Sequence, residues 1–89
     1  MPDFKILIVD DDDNICQLLK LYLIKEGFST IICHNGNDAA KYVKETHLDI
    51  VLLDIMMPDM DGLETLSKIR EFSDIPVILV SAKANPWIK

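Results

Sequence analysis

The chain has 89 residues, room for one small domain and no second one; at this size folding buries only roughly 60 to 65% of the extended chain's surface. A hydrophobic fraction of 49% and a mean hydropathy of +0.19 exclude disorder, which pairs low hydropathy with high charge. Nine basic residues against fifteen acidic ones leave a formal charge of −6, which argues against nucleic-acid binding by this segment, and no apolar run approaches the roughly 18 residues of a membrane span.

Apolar runs of strand length alternate with amphipathic stretches of helix length. Residues 5–9, Lys5-Ile6-Leu7-Ile8-Val9, are a β-branched strand pattern that ends in four consecutive aspartates. Residues 13–26 follow with Ile15, Leu18, Leu19 and Tyr22 at helical spacing, Asp13 or Asn14 as the N-cap, and Gly27 at the stop. Residues 28–33 read as a second strand. Asn35-Gly36-Asn37 is then a turn into a helix over 38–46, with Ala39, Ala40 and Val43 on its apolar side. Residues 50–53 are a continuous apolar run ending at Asp54, the pattern of a central strand covered on both faces. A third helix over 61–71 carries Leu63, Leu66 and Ile69 on one side, and residues 75–80 are a fourth strand, entered through Pro76 and followed by Ser81. Strands alternating with helices imply a parallel sheet, because each crossover helix returns the chain to start the next strand in the same direction. In such α/β sheets polar groups for ligands collect beyond the carboxyl ends of the strands. Here those ends carry residues 10–13, Asp54 and Ser81.

If the first and third strands are neighbours, the carboxylates of Asp10, Asp11 and Asp54 converge. Like charges about 4 Å apart repel by roughly 4 kcal/mol at an effective dielectric near 20, so such a cluster calls for a cation or for protons. Mg²⁺ suits it: a hard ion with oxygen ligands, typically held by one or two carboxylates together with phosphate oxygens. Asp12, Asp13, Asp59 and Asp61 are expected to cap helices or face solvent. Asp54 differs, because it follows four apolar residues and sits at the edge of the core, where a charge costs several kcal/mol without a partner.

These residues resemble the response-regulator receiver domains of two-component signalling, which have a flavodoxin-like, doubly wound α/β fold. The resemblance is carried by Ile6-Leu7-Ile8-Val9-Asp10-Asp11, by Asp54-Ile55-Met56-Met57-Pro58-Asp59-Met60-Asp61-Gly62, and by Pro76-Val77-Ile78-Leu79-Val80-Ser81-Ala82. It implies that Asp54 accepts a phosphoryl group from a sensor histidine kinase, that Asp10, Asp11 and Asp54 hold Mg²⁺ with the backbone carbonyl of Met56, and that the Ser81 hydroxyl bonds the phosphoryl oxygen and moves on activation. Ala82 leaves space for it. The phrasing between Asp61 and Lys83 looks most like receivers that precede a winged-helix DNA-binding domain, so the resemblance implies transcription control in a full-length cytoplasmic protein. The resemblance further implies that the domain by itself is a phosphoacceptor and no enzyme beyond self-phosphorylation and slow self-dephosphorylation. Pro58 is expected to stiffen the loop after Asp54, and Gly62 to relieve crowding as the backbone curves round the metal.

Against that family, residues 1–89 are expected to form an incomplete receiver, a βαβαβαβ unit without the usual fourth helix, fifth strand and fifth helix. The lysine and aromatic of the fifth strand have no counterpart in Lys83, Lys89, Tyr22 or Tyr42. Residues 85–87, Asn85-Pro86-Trp87, depart from the usual continuation. The apolar fourth strand would then be an edge, a template for pairing, and a homo-oligomer through that strand and the sheet face is expected.

Two other classes compete. One is an inert interaction module that keeps the fold without phosphorylation. The other is a haloacid-dehalogenase-like phosphatase, which Asp10-x-Asp12 imitates, although Asp13-Asn14 stands where Gly-Thr usually follows. An EF-hand loop from Asp10 would need a glycine and a glutamate where Ile15 and Leu21 stand. Cys16 and Cys33 have no metal-ligand spacing and read as reduced thiols, and His34 and His47 as solvated loop residues.

Overall fold

A computed structural model describes residues 4–58 and 60–80. The element order is β1 (Lys5–Val9), α1 (Asp13–Lys25), β2 (Ser29–Cys33), α2 (Gly36–Glu45), β3 (Ile50–Asp54), α3 (Gly62–Arg70) and β4 (Val77–Val80). All strand pairs are parallel and the sheet order is β2-β1-β3-β4. The chain therefore turns one way from β1 to β2 and then crosses back to the other side of β1. That reversal places a topological switch point between the carboxyl ends of β1 and β3.

The period of two in β1 sorts its side chains onto two cores. Ile6 and Ile8 pack with Cys16, Leu19 and Leu23 of α1, with Ile32, Ile50 and Leu52 of the neighbouring strands alongside. Leu7 and Val9 face the other way, onto Ala39 and Val43 of α2, Leu66 of α3, and Val51 and Leu53. Helices thus cover both faces of β1, which is why its whole apolar run is buried from Ile6 to Val9.

Several helix boundaries and faces differ from the sequence expectation. The N-cap of α1 is Asp12, one residue before the expected Asp13 or Asn14, because its carboxylate reaches the amides of Asn14 and Ile15. The face of α1 on the sheet is Cys16, Leu19 and Leu23; Leu18 and Tyr22 are 69% and 64% exposed. Asn35 caps α2 by accepting the Asp38 amide, so Gly36 and Asn37 begin the helix instead of forming a turn before it. In α3 the buried residues are Gly62, Thr65 and Ile69, while Leu63 is exposed. Phe28 lies outside β2 and packs its ring 5.5 Å from that of Phe4. Ile75 and Pro76 precede β4, and the Ile75 carbonyl accepts from the Arg70 guanidinium at 2.6 Å.

Candidate functional site

The site lies at the switch point and is built from strand ends. Asp10 follows β1 directly and is 3% exposed. Its amide donates to the Cys33 carbonyl at 3.2 Å, and its carboxylate accepts the Asp12 amide at 2.9 Å. Beneath it, the Cys16 thiol donates to the Asp10 carbonyl at 3.3 Å. That contact was not evident in the sequence, since a lone cysteine three residues into a helix carries no signal of what it touches.

Asp54 ends β3 and is 2% exposed; its carboxylate accepts the Met56 amide at 3.2 Å. Asp11 is exposed on the rim. Carboxylate oxygens of Asp10, Asp11 and Asp54 all lie within 4.8 Å of one another, the only group of that kind among the described residues. Three acidic oxygens at this separation form a hard donor set that matches Mg²⁺ and offers nothing to a soft metal.

The loop after Asp54 is pinned at both ends. The Ile55 amide donates to the Val80 carbonyl, and the Gly62 amide returns to the Ile55 carbonyl at 2.9 Å. Asp61 caps α3 by accepting the Glu64 amide at 2.8 Å, and Asp12 caps α1, so both have the helix-end role expected of them. His34 is exposed with Nε2 3.0 Å from an Asp13 carboxylate oxygen, and His47 is exposed 3.7 Å from Asp49. Of the other expected site residues, Met56 places its amide on Asp54 with its side chain half exposed, whereas Ser81, together with Ala82, Lys83, Asp59 and Trp87, lies outside the described residues.

Both cysteines are free and buried under the site. Burial first, and the nearby Asp10 second, push the Cys16 thiol up to about 11; burial pushes Cys33 up to about 12. Both are therefore neutral, unreactive thiols near pH 7.

The sequence profile of the response regulator receiver domain matches residues 6–88. The chain belongs to that family. Among curated proteins it is 43% identical over 81 residues to the transcriptional regulatory protein SrrA of Staphylococcus aureus, an alignment that covers 91% of this chain and 34% of SrrA. The chain thus spans about a third of the length of the curated relatives it matches. Among solved structures it resembles the response regulator TrrA of Thermotoga maritima in complex with Mg²⁺-BeF, with 40% identity, a TM-score of 0.85, and coverage of 91% of this chain and 71% of that one. It also resembles a complex of the histidine kinase ThkA with TrrA, with 38% identity, a TM-score of 0.85, and coverage of 97% and 75%. The receiver is a signalling domain with the flavodoxin-like α/β fold. Among the described residues no helix is long and apolar enough to cross a membrane.

Proposed function

We propose that this chain is the phosphoacceptor module of a transcription-controlling response regulator, and that Asp54 takes a phosphoryl group from the phosphohistidine of a sensor histidine kinase in the cytoplasm. The observation that carries this reading is the buried Asp54 carboxylate at the end of β3, with its oxygens within 4.8 Å of those of Asp10 and Asp11. An Asp54 carboxylate oxygen attacks phosphorus, the P–N bond to the kinase histidine breaks, and the imidazole leaves, giving an aspartyl phosphate. A carboxylate is a weak nucleophile, so the chain's contribution is alignment and relief of negative charge. The Met56 amide and the strand end hold the Asp54 side chain in one orientation, and burial keeps water from competing for it.

The groups that would hold Mg²⁺ are the carboxylates of Asp10, Asp11 and Asp54 and the Met56 carbonyl, and the ion, when bound, supplies neutralising charge for the phosphoryl oxygens. Ser81 would bond the phosphoryl oxygen. The Mg²⁺-BeF complex of TrrA, the ThkA–TrrA complex and the likeness to the transcriptional regulatory protein SrrA support the metal, the kinase and the transcriptional role in turn. Self-phosphorylation from a small acyl phosphate and slow self-dephosphorylation follow from the same chemistry.

Self-association through β4 belongs to this reading as well. Among the described residues β4 pairs with β3 alone, and its Ile78 and Leu79 are 50% and 37% exposed. A strand edge with exposed apolar side chains offers backbone and side-chain surface to a second copy.

Incubation with acetyl phosphate and Mg²⁺ tests the proposal: one phosphoryl mass should be added to the protein and lost in Asp54→Asn. Equal labelling in Asp54→Asn would overturn the assignment, and no labelling at all would favour an inert interaction module.

A further inference from the structure

We propose that Gly36, in the first turn of α2, is a positioning residue for the phosphoacceptor loop and acts through Met60 and Thr65; this rests on the reading of Asp54 given above. Gly27, at a φ of 94°, is the only glycine with positive φ, so Gly36 is needed for space and not for an unusual backbone conformation. A Cβ at Gly36 would collide with the Thr65 hydroxyl oxygen and stand 2.8 Å from the Met60 sulfur and 3.1 Å from its Cγ.

Room for that methyl has to come from the Thr65 hydroxyl and the Met60 side chain, and only the end of the Met60 side chain can swing aside cheaply. Thr65 is fully buried and its hydroxyl donates to the Asp61 carbonyl at 2.9 Å, so a rotation that made room would break that bond inside the core. Met60 immediately precedes Asp61, whose carboxylate caps α3. On the far side of that cap, Gly62 lies against the Asp54 and Ile55 backbone, where a Cβ would stand 2.5 Å from the Asp54 carbonyl oxygen. Asp61, Gly62 and Thr65 are therefore held between the end of β3 and the first turn of α2. Both contacts are too close to admit a methyl group, and packed protein passes such displacements on instead of absorbing them. A push at Gly36 reaches the Asp54 peptide through Thr65, Asp61 and Gly62.

The test uses the whole chain as wild type, Gly36→Ala, Met60→Ala and Ala40→Gly. Met60→Ala removes the same contact without adding an atom, and Ala40→Gly weakens α2 one turn further on without touching the loop. Acyl-phosphate formation from acetyl phosphate and Mg²⁺ should slow about ten-fold in Gly36→Ala and Met60→Ala, the scale expected of a sub-ångström misplacement, and stay at the wild-type rate in Ala40→Gly despite its lower melting temperature. Gly36→Ala/Thr65→Ala, which removes the oxygen that the new methyl strikes, should recover rate relative to Gly36→Ala. Amide chemical shifts of Asp54 and Ile55 should move in Gly36→Ala and Met60→Ala and stay in place in Ala40→Gly. A wild-type protein that takes no label sinks the phosphoacceptor reading, and the amide shifts then still decide the positioning. Unchanged Asp54 and Ile55 shifts, or a labelled wild type with Gly36→Ala and Met60→Ala reacting at the same rate, would overturn the role of Gly36.

Discussion

The α carbon of Gly62 rests on the peptide that leaves Asp54: a methyl there would stand 2.5 Å from the Asp54 carbonyl oxygen and 2.7 Å from the Ile55 α carbon. Both obstacles are backbone, so the crowding cannot be relieved by a side-chain rotation. Gly62→Ala should therefore destabilise the fold by about 1 to 3 kcal/mol, the usual range for overpacking, although alanine is the better helix former. Urea unfolding of the two proteins measures it, and a stabilised variant would show that the loop has slack.

Metal binding should be visible as stability. An ion that binds only the folded state adds roughly 2.7 kcal/mol at a hundred times its dissociation constant, so Mg²⁺ should raise the melting temperature of the wild type. Asp11→Ala removes an exposed carboxylate of the cluster with no loss of core and should abolish most of that rise. An equal Mg²⁺ response in Asp11→Ala would move the ion away from Asp10, Asp11 and Asp54.

The two buried thiols give a pH dependence on the alkaline side. Their pKa values are raised from 9.0 to about 11 and about 12, so the folded state favours the protonated thiol. The stability this contributes is complete below pH 9 and is lost as pH rises through 11 and 12. Between those limits each thiol costs the wild type about 1.4 kcal/mol per pH unit. Denaturant unfolding of wild type and Cys33→Ala at pH 8 and pH 10.5 should show the gap between them narrowing at the higher pH. A gap that stays constant would mean that Cys33 ionises in the folded protein as it does in the unfolded chain.

Self-association should respond to Ile78, half exposed on β4. Light scattering after size exclusion at micromolar concentration should give a dimer or larger species for the wild type and a monomer for Ile78→Lys, because a charge on an edge strand blocks strand pairing. A monodisperse wild-type monomer would remove the oligomer from the account.

How far the sequence could be read depended on how many solutions each pattern allowed. The run Ile6 to Val9 is buried on both faces, and the run Ile50 to Leu53 is buried at Val51 and Leu53 and half-buried at Ile50 and Leu52; each run ends directly at its aspartates, so with the two strands as neighbours the meeting of Asp10, Asp11 and Asp54 was legible. The face of α1 was not. Apolar residues stand at Ile15, Cys16, Leu18, Leu19, Leu21, Tyr22, Leu23 and Ile24, most of the way round the helix, so spacing alone fits more than one face. The sheet selected Cys16, Leu19 and Leu23, a cysteine included, and left Leu18 and Tyr22 outward. Thr65 was missed in α3 because a polar residue on an apolar face reads as solvent-facing until its hydrogen bond to the Asp61 carbonyl is seen. Similarly, Asn35-Gly36-Asn37 has turn composition, but the Asn35 side chain satisfies the Asp38 amide and makes the segment a helix start.

The most direct measurement is chemical trapping of the acyl phosphate. After reaction with acetyl phosphate and Mg²⁺, borohydride reduces an aspartyl phosphate to the corresponding alcohol, and tandem mass spectrometry of the peptides reads which position has changed. Reduction is expected at residue 54 in the wild type and nowhere in Asp54→Asn. Reduction at Asp10 or Asp11 in the wild type, with residue 54 intact, would contradict the assignment of Asp54.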